Sequence, residues 1–119
     1  MSEVYYRNSI LDYLKSMSDS KKQLEIGAVE AFCIWFDDLY YPCFDSSVYN
    51  HGVYEEGLEI FRSCFSEEEL KAMSNYHNFI DTIVDEFVVE RDWPEIQNDP
   101  NWIQLTKEAK IAVNAFNQS

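Results

Sequence analysis

Residues 66–88, SEEELKAMSNYHNFIDTIVDEFV, read as one long amphipathic helix whose start is written into its first five letters. Ser66-Glu67-Glu68-Glu69-Leu70 is a capping box: the Ser66 hydroxyl can accept from the amide three residues on, and Glu69 can reach back to the Ser66 amide. Glu67 and Glu68 sit where the helix dipole favours negative charge. Leu70, Met73, His77, Ile80, Val84 and Phe87 then recur at three- and four-residue steps and predict the buried stripe.

The same period extends in both directions from this helix. Tyr6, Ile10, Tyr13, Leu14 and Met17 predict a helix over about 3–17. Ser18-Asp19-Ser20 supplies a break and an N-cap for a second helix over about 21–40. That helix has two apolar stripes, Leu24/Ala28/Ala31/Trp35/Leu39 and Ile26/Val29/Cys33/Phe36/Tyr40, so it is expected to be central and buried. Tyr41-Pro42 ends it, since the residue before a proline is pushed out of the α region. Asp99-Pro100 reads as N-cap and N1 of a last helix over about 100–117, with the stripe Trp102, Leu105, Ala109, Ala112, Val113 and Phe116. Segment 41–65 is irregular, with a short helix expected over Tyr54–Phe61. Residues 91–94 form a break, with one short turn at Glu95–Asn98. The expected fold is all-α: an irregular bundle of four main helices in a single domain spanning 1–119.

Composition narrows the function. The chain has 119 residues, 46% of them hydrophobic and 16% aromatic, enough for a real core despite 22 acidic residues against nine Lys and Arg. A folded chain of this size exposes roughly 6,700 Å², about one excess negative charge per 500 Å². Direct binding to nucleic acid needs a basic footprint, and anionic membrane surfaces need the same, so neither is expected as a partner. The N-terminus lacks a basic stretch followed by an apolar run, and the longest apolar stretch, Ala31–Phe36, is far short of the ~20 residues of a membrane span. Cys33, Cys43 and Cys64 are odd in number and read as reduced thiols, which points to a cytoplasmic protein.

The charge is also unevenly placed. Residues 37–99 hold sixteen acids and three bases (Arg62, Lys71, Arg91), whereas the two flanking stretches hold six of each. The whole excess of −13 therefore lies mid-chain. Within it, Asp37, Asp38, Asp45, Glu55, Glu56 and Glu59 are interleaved with Tyr40, Tyr41, Phe44, Tyr49 and Tyr54. Tyrosine offers a stiff contact surface with a polar tip and is common among interface anchors. These acids, with Tyr40, Tyr41, Tyr49 and Tyr54, are the candidate surface for a basic protein; the competing reading is that the rings plug one end of the bundle. The third-helix acids Asp81, Asp85 and Glu86 are next in line.

Catalytic and metal readings find little support. His77 and Asp81 have a spacing that can share a metal, but no third ligand falls into a known motif, and a hydrogen-bonded core histidine is the better expectation. Cys33, Cys43, His51 and Cys64 match no zinc pattern. Cys43, His51 and Asp45 share a loop region without any flanking catalytic motif. No cofactor, metal or catalytic residue is assigned, and an unrecognised hydrolase using Cys43, His51 or His77 is the minor reading.

From Phe65-Ser66-Glu67-Glu68-Glu69-Leu70 to Phe87, and on through Trp102 and the alanine-rich last helix, the chain resembles helical immunity proteins of bacterial contact-dependent growth inhibition systems. The resemblance covers roughly the second half. That group shares no invariant motif, so no residue role is carried over. What it implies is a partner: the C-terminal toxin domain of a large exoprotein, commonly a tRNase or DNase with a basic cleft. The expected function is therefore neutralisation of a cationic toxin domain by occlusion. The alternative is an acidic adaptor or nucleic-acid mimic that inhibits a DNA-binding enzyme.

Overall fold

The computed structural model describes residues 3–44, 51–87 and 91–117. All regular structure among them is helical: α1 (Glu3–Met17), α2 (Ser20–Ile26), α3 (Ala28–Cys33), α4 (His51–Ser63), α5 (Glu67–Phe87), α6 (Trp93–Asn98) and α7 (Pro100–Asn117). A π-helical segment, Ile34–Leu39, continues α3, and a 3₁₀ turn, Tyr41–Cys43, follows it. The all-α expectation holds, but four main helices become seven. Two departures account for most of the difference.

The expected helix over 21–40 is broken at Gly27. This residue adopts φ +94° and ψ 148°, a region essentially closed to residues with a Cβ, and its amide caps α2 by donating to Gln23 O at 3.2 Å. The chain turns there, so the two apolar stripes are not buried together: Leu24 and Val29 are 52% and 45% exposed. The expectation of a fully buried central helix is corrected accordingly. Beyond Cys33 the winding loosens, with the Tyr40 amide donating to Trp35 O five residues back at 2.9 Å. Five residues in an α-helix point well apart, but one π turn brings them nearly into line. Trp35 and Tyr40 consequently stack, centroids 4.9 Å apart and planes 10° apart.

The second departure is α6, where only a short turn was expected. Asp92 is its N-cap residue in extended geometry and Pro94 occupies the first turn, where a missing N–H costs nothing. In 41–65, α4 spans thirteen residues and includes the expected Tyr54–Phe61. It packs closely enough on the 3₁₀ turn that a Cβ on Gly57 would overlap the Tyr41 hydroxyl.

The core sits between α1, α5 and α7. Ile10, Leu14, Met73, Tyr76, Ile80, Phe87, Leu105, Ala109 and Ala112 are all fully sealed. The small Ala109 and Ala112 let α7 lie close against α5, the most extensive helix contact of the fold. On α5 the buried stripe is Glu69, Ala72, Met73, Tyr76, Ile80, Ile83 and Phe87, rotated slightly from the expected one; Leu70, His77 and Val84 are its half-buried border.

Glu69 is therefore inside, at 0% exposure. The capping box forms as expected, with the Ser66 amide donating to Glu69 Oε1 at 2.8 Å and the Glu69 amide to Ser66 Oγ at 3.2 Å. The carboxylate is also gripped at both oxygens by the Arg7 guanidinium. Arg7 further donates to Cys64 O at 3.4 Å and lies over the Phe116 ring at 5.0 Å. A second buried polar hub is Gln23. Its amide nitrogen donates to Met17 O (2.6 Å) and Thr106 Oγ1 (2.9 Å), and its carbonyl accepts from Trp102 Nε1 (3.0 Å) and Gln97 Nε2 (3.2 Å).

Arg7→Ala leaves the Glu69 carboxylate buried without its counter-charge and is expected to lower stability by about 3 kcal/mol. Ser66→Ala, which removes only the cap, is expected to cost about 1 kcal/mol. Urea denaturation checks the ranking, and equal losses would mean that Arg7 contributes only a surface contact. Gly27→Ala is expected to cost about 1–3 kcal/mol through backbone strain; an unchanged midpoint would show that the chain turns there for another reason.

Candidate functional site

The candidate acids and tyrosines do not share one fate. Asp37 and Asp38 are exposed on the π segment, and Glu55, Glu56 and Glu59 are exposed on the outer face of α4. Asp45 and Tyr49 lie outside the described residues. Tyr40 and Tyr41 are 8% and 9% exposed and belong to the core. As placed, they plug the end of the bundle and are not open surface anchors. Tyr54 is half-buried, stacks on Tyr41 at 5.5 Å, and donates its hydroxyl to Pro42 O at 3.2 Å. The described rings Tyr40, Tyr41 and Tyr54 thus build a floor, and the described acids Asp37, Asp38, Glu55, Glu56 and Glu59 stand in solvent.

That floor has a defined structure. Trp35 stacks on Tyr13 (5.3 Å) and meets Tyr76 edge-on (4.9 Å), while the Tyr13 and Tyr76 hydroxyls share a buried hydrogen bond at 2.9 Å. The Trp35 indole donates to His77 Nδ1 at 3.2 Å, and the imidazole stacks on Tyr40 at 4.6 Å and meets Phe36 edge-on at 5.5 Å. His77 is thus a hydrogen-bonded histidine at the core border. Because Nδ1 accepts from Trp35, the neutral ring carries its proton on Nε2. These contacts tie the π segment to the middle of α5 and bring Asp37 and Asp81 to the same side, where both act on the Cys43 thiol.

Cys43 is a poor nucleophile in this setting. Burial, abetted by Asp37 and Asp81, pushes its pKa up to about 11, and its thiol is directed at Tyr40 O (3.0 Å) and Phe36 O (3.2 Å). The His51 side chain and Asp45, its partners in the hydrolase reading, lie outside the described residues. Among the described residues no group of three or more His, Cys, Asp or Glu side chains is arranged to hold a metal. Nor is any described helix long and apolar enough to cross a membrane.

The third-helix acids Asp81, Asp85 and Glu86 are exposed along α5. Glu86 accepts from the Asn101 side chain at 2.9 Å. Past them lies an ion-paired corner that sequence reading missed. Arg91 bonds Glu95 Oε1 at 3.2 Å, Asp99 Oδ2 at 3.1 Å and the Glu86 carbonyl at 3.3 Å, and lies over the Phe87 ring at 4.9 Å. The Asn101 amide and the Arg91 guanidinium together hold Asp99 below the usual carboxylate range. The only sequence signal for this corner was Asp92-Trp93-Pro94, which reads as a break but also starts α6.

Comparison with known proteins adds no relative. No protein-family model matches the chain, no curated protein matches it, and no solved structure matches it.

Burial lowers the His77 pKa from its ordinary 6.5, against the opposing pull of Asp81. As pH falls through that value, the unfolded chain takes up the proton before the folded one, so folding weakens. Protonation also turns Nδ1 into a donor facing the Trp35 N–H. Wild type is expected to lose more stability than His77→Gln between about pH 7.5 and pH 5.5, read as the difference in urea midpoints. Parallel losses in the two proteins would show that His77 titrates as freely folded as unfolded.

Proposed function

We propose that this chain is an immunity-type inhibitor that neutralises a cationic toxin domain, the C-terminal region of a large exoprotein of the tRNA- or DNA-cleaving kind. Support comes from one observation above all: the charge excess is confined to residues 37–99, and the described candidate acids Asp37, Asp38, Glu55, Glu56 and Glu59 stand exposed. Asp37, Asp38, Glu56 and Glu59 form no ion pair among the described residues. Clustered acids raise the folding cost through mutual repulsion, and a basic partner relieves it.

The mechanism is occlusion. Carboxylates on the π segment and on α4 face the Lys and Arg side chains that would hold substrate phosphates. The stacked rings beneath them keep those two elements in place. Exposed charge acts mainly through encounter: complementary fields can raise association rates by ~10–10³-fold, an effect that salt screens. Individual ion pairs buried at the contact add less, because desolvation offsets much of their attraction.

The triple substitution Asp37→Lys, Asp38→Lys, Glu56→Lys tests this against the basic C-terminal domain that a neighbouring exoprotein gene is expected, on this proposal, to encode. All three residues are surface positions, so the fold should persist by circular dichroism. Association measured by surface plasmon resonance is expected to slow by about tenfold or more at low ionic strength and by less at high salt. Protection of cells expressing the toxin domain should weaken in parallel. An unchanged association rate would overturn this assignment of the surface, and capture of a DNA-binding enzyme in place of a toxin domain would favour the mimic.

A further inference from the structure

Away from residues 37–59, the start of α3, the end of α5 and α6 line a solvent-open cavity of about 290 Å³. Val29, Phe87, Trp93 and Ile96 wall it, and Glu30 and Arg91 stand at its polar edge. Phe87 and Ile96 are buried and form its base, while Val29 is 45% exposed despite being a large apolar residue. Trp93 rests edge-on against Trp102 at 5.6 Å. Trp35 and Trp102 are sealed at 0% and 1%, so Trp93 is the one tryptophan of the three that reaches solvent.

The fixed charges around this cavity are unequal. Arg91 is already engaged by Glu95 and Asp99. Glu30 makes no ion pair among the described residues. Its carboxylate folds back over Gly27, in the space that a Cβ there would fill. Among the described residues Glu30 and Arg91 are the only charged members of the lining, and Glu95 and Asp99 already balance Arg91, so the uncompensated charge at the cavity is the Glu30 carboxylate, above aromatic and aliphatic walls. An anion drawn to Arg91 would meet Glu95 and Asp99 already bound there. A purely apolar ligand would strip water from Glu30 with no compensating bond.

We infer that this cavity receives a single basic side chain, an arginine of a partner protein, with its guanidinium on the Glu30 carboxylate and its stem against Trp93 and Val29. Guanidinium groups combine bonding to carboxylates with stacking on indole faces. The volume lies at the lower end of the ~300–1,000 Å³ typical of small-molecule pockets and suits one long side chain. Pockets of this kind, filled by a Trp or Arg anchor, often dominate interface energetics. The inference deepens the proposed function, on which it rests for the partner's identity. It adds an anchoring site that the candidate acids at 37–59 do not include.

The test needs no toxin. N-acetyl-arginine amide is titrated into ¹⁵N-labelled protein, with the three tryptophan indole N–H signals followed by NMR. The expected result is a saturable shift of the Trp93 signal, with Trp35 and Trp102 unmoved, and no saturation with N-acetyl-leucine amide. Glu30→Gln, an exposed position, should fold normally and bind the probe about fivefold more weakly. No Trp93 shift, an equal response to the leucine probe, or unaltered binding by Glu30→Gln would each overturn the inference. The two readings also fail separately. A silent probe leaves toxin neutralisation standing, whereas probe binding without toxin capture keeps the pocket and removes the proposed partner.

Discussion

The Glu69 carboxylate is fully enclosed in a chain with far too few cations to spare, and the fold is arranged around keeping it neutralised. Desolvating a carboxylate costs several kcal/mol unless charge and hydrogen bonds replace the lost water. Here the replacement comes from Ser66 in its own turn and from Arg7 on α1. Arg7 is thereby fixed over Phe116 at the end of α7 and beside the Cys64 carbonyl at the end of α4. One ion pair therefore sets the relative positions of four helices. Because it is satisfied only when α1 lies against the start of α5, it also penalises arrangements in which α1 is displaced.

The opposite end of the bundle is closed by ring packing. Tyr13, Trp35, Tyr40 and His77 form a continuous stack, met edge-on by Tyr76, that depends on the π turn to bring Trp35 and Tyr40 into register. Insertions of this kind locally loosen a helix and are frequent at functional sites. Here the loosened turn places Asp37 and Asp38 on the outside and the rings on the inside. The stacked rings thus pack beneath the turn that carries Asp37 and Asp38.

Much of this was legible residue by residue. The stripe Ile10, Leu14, Met17 and the alternation of large and small residues along α7 identify their buried faces because helical period and burial coincide there. The capping box places the start of α5 correctly because it is a local hydrogen-bond pattern. Failures occur where burial is decided by a distant partner. Glu69 reads as a solvated capping acid because nothing near it in sequence announces Arg7. Tyr40 and Tyr41 read equally as anchors or as plugs because an aromatic-acid alternation looks the same in either case. The helix expected over 21–40 runs straight through Gly27, whereas the positive φ there makes it a corner that redirects α3.

The chain's helical periods, caps and lopsided charge determined by themselves that it is all-α, where most helices start, and that the middle of the sequence carries the acidic excess, since each is a property of neighbouring residues. Tertiary structure alone decided which polar groups go inside, which tyrosines are lost to the core, and that Val29, Glu30, Arg91 and Trp93 converge on one cavity. Those outcomes depend on contacts between residues far apart in the chain, from Tyr41 on Phe61 to Gln23 on Thr106, where a sequence pattern has no period to follow.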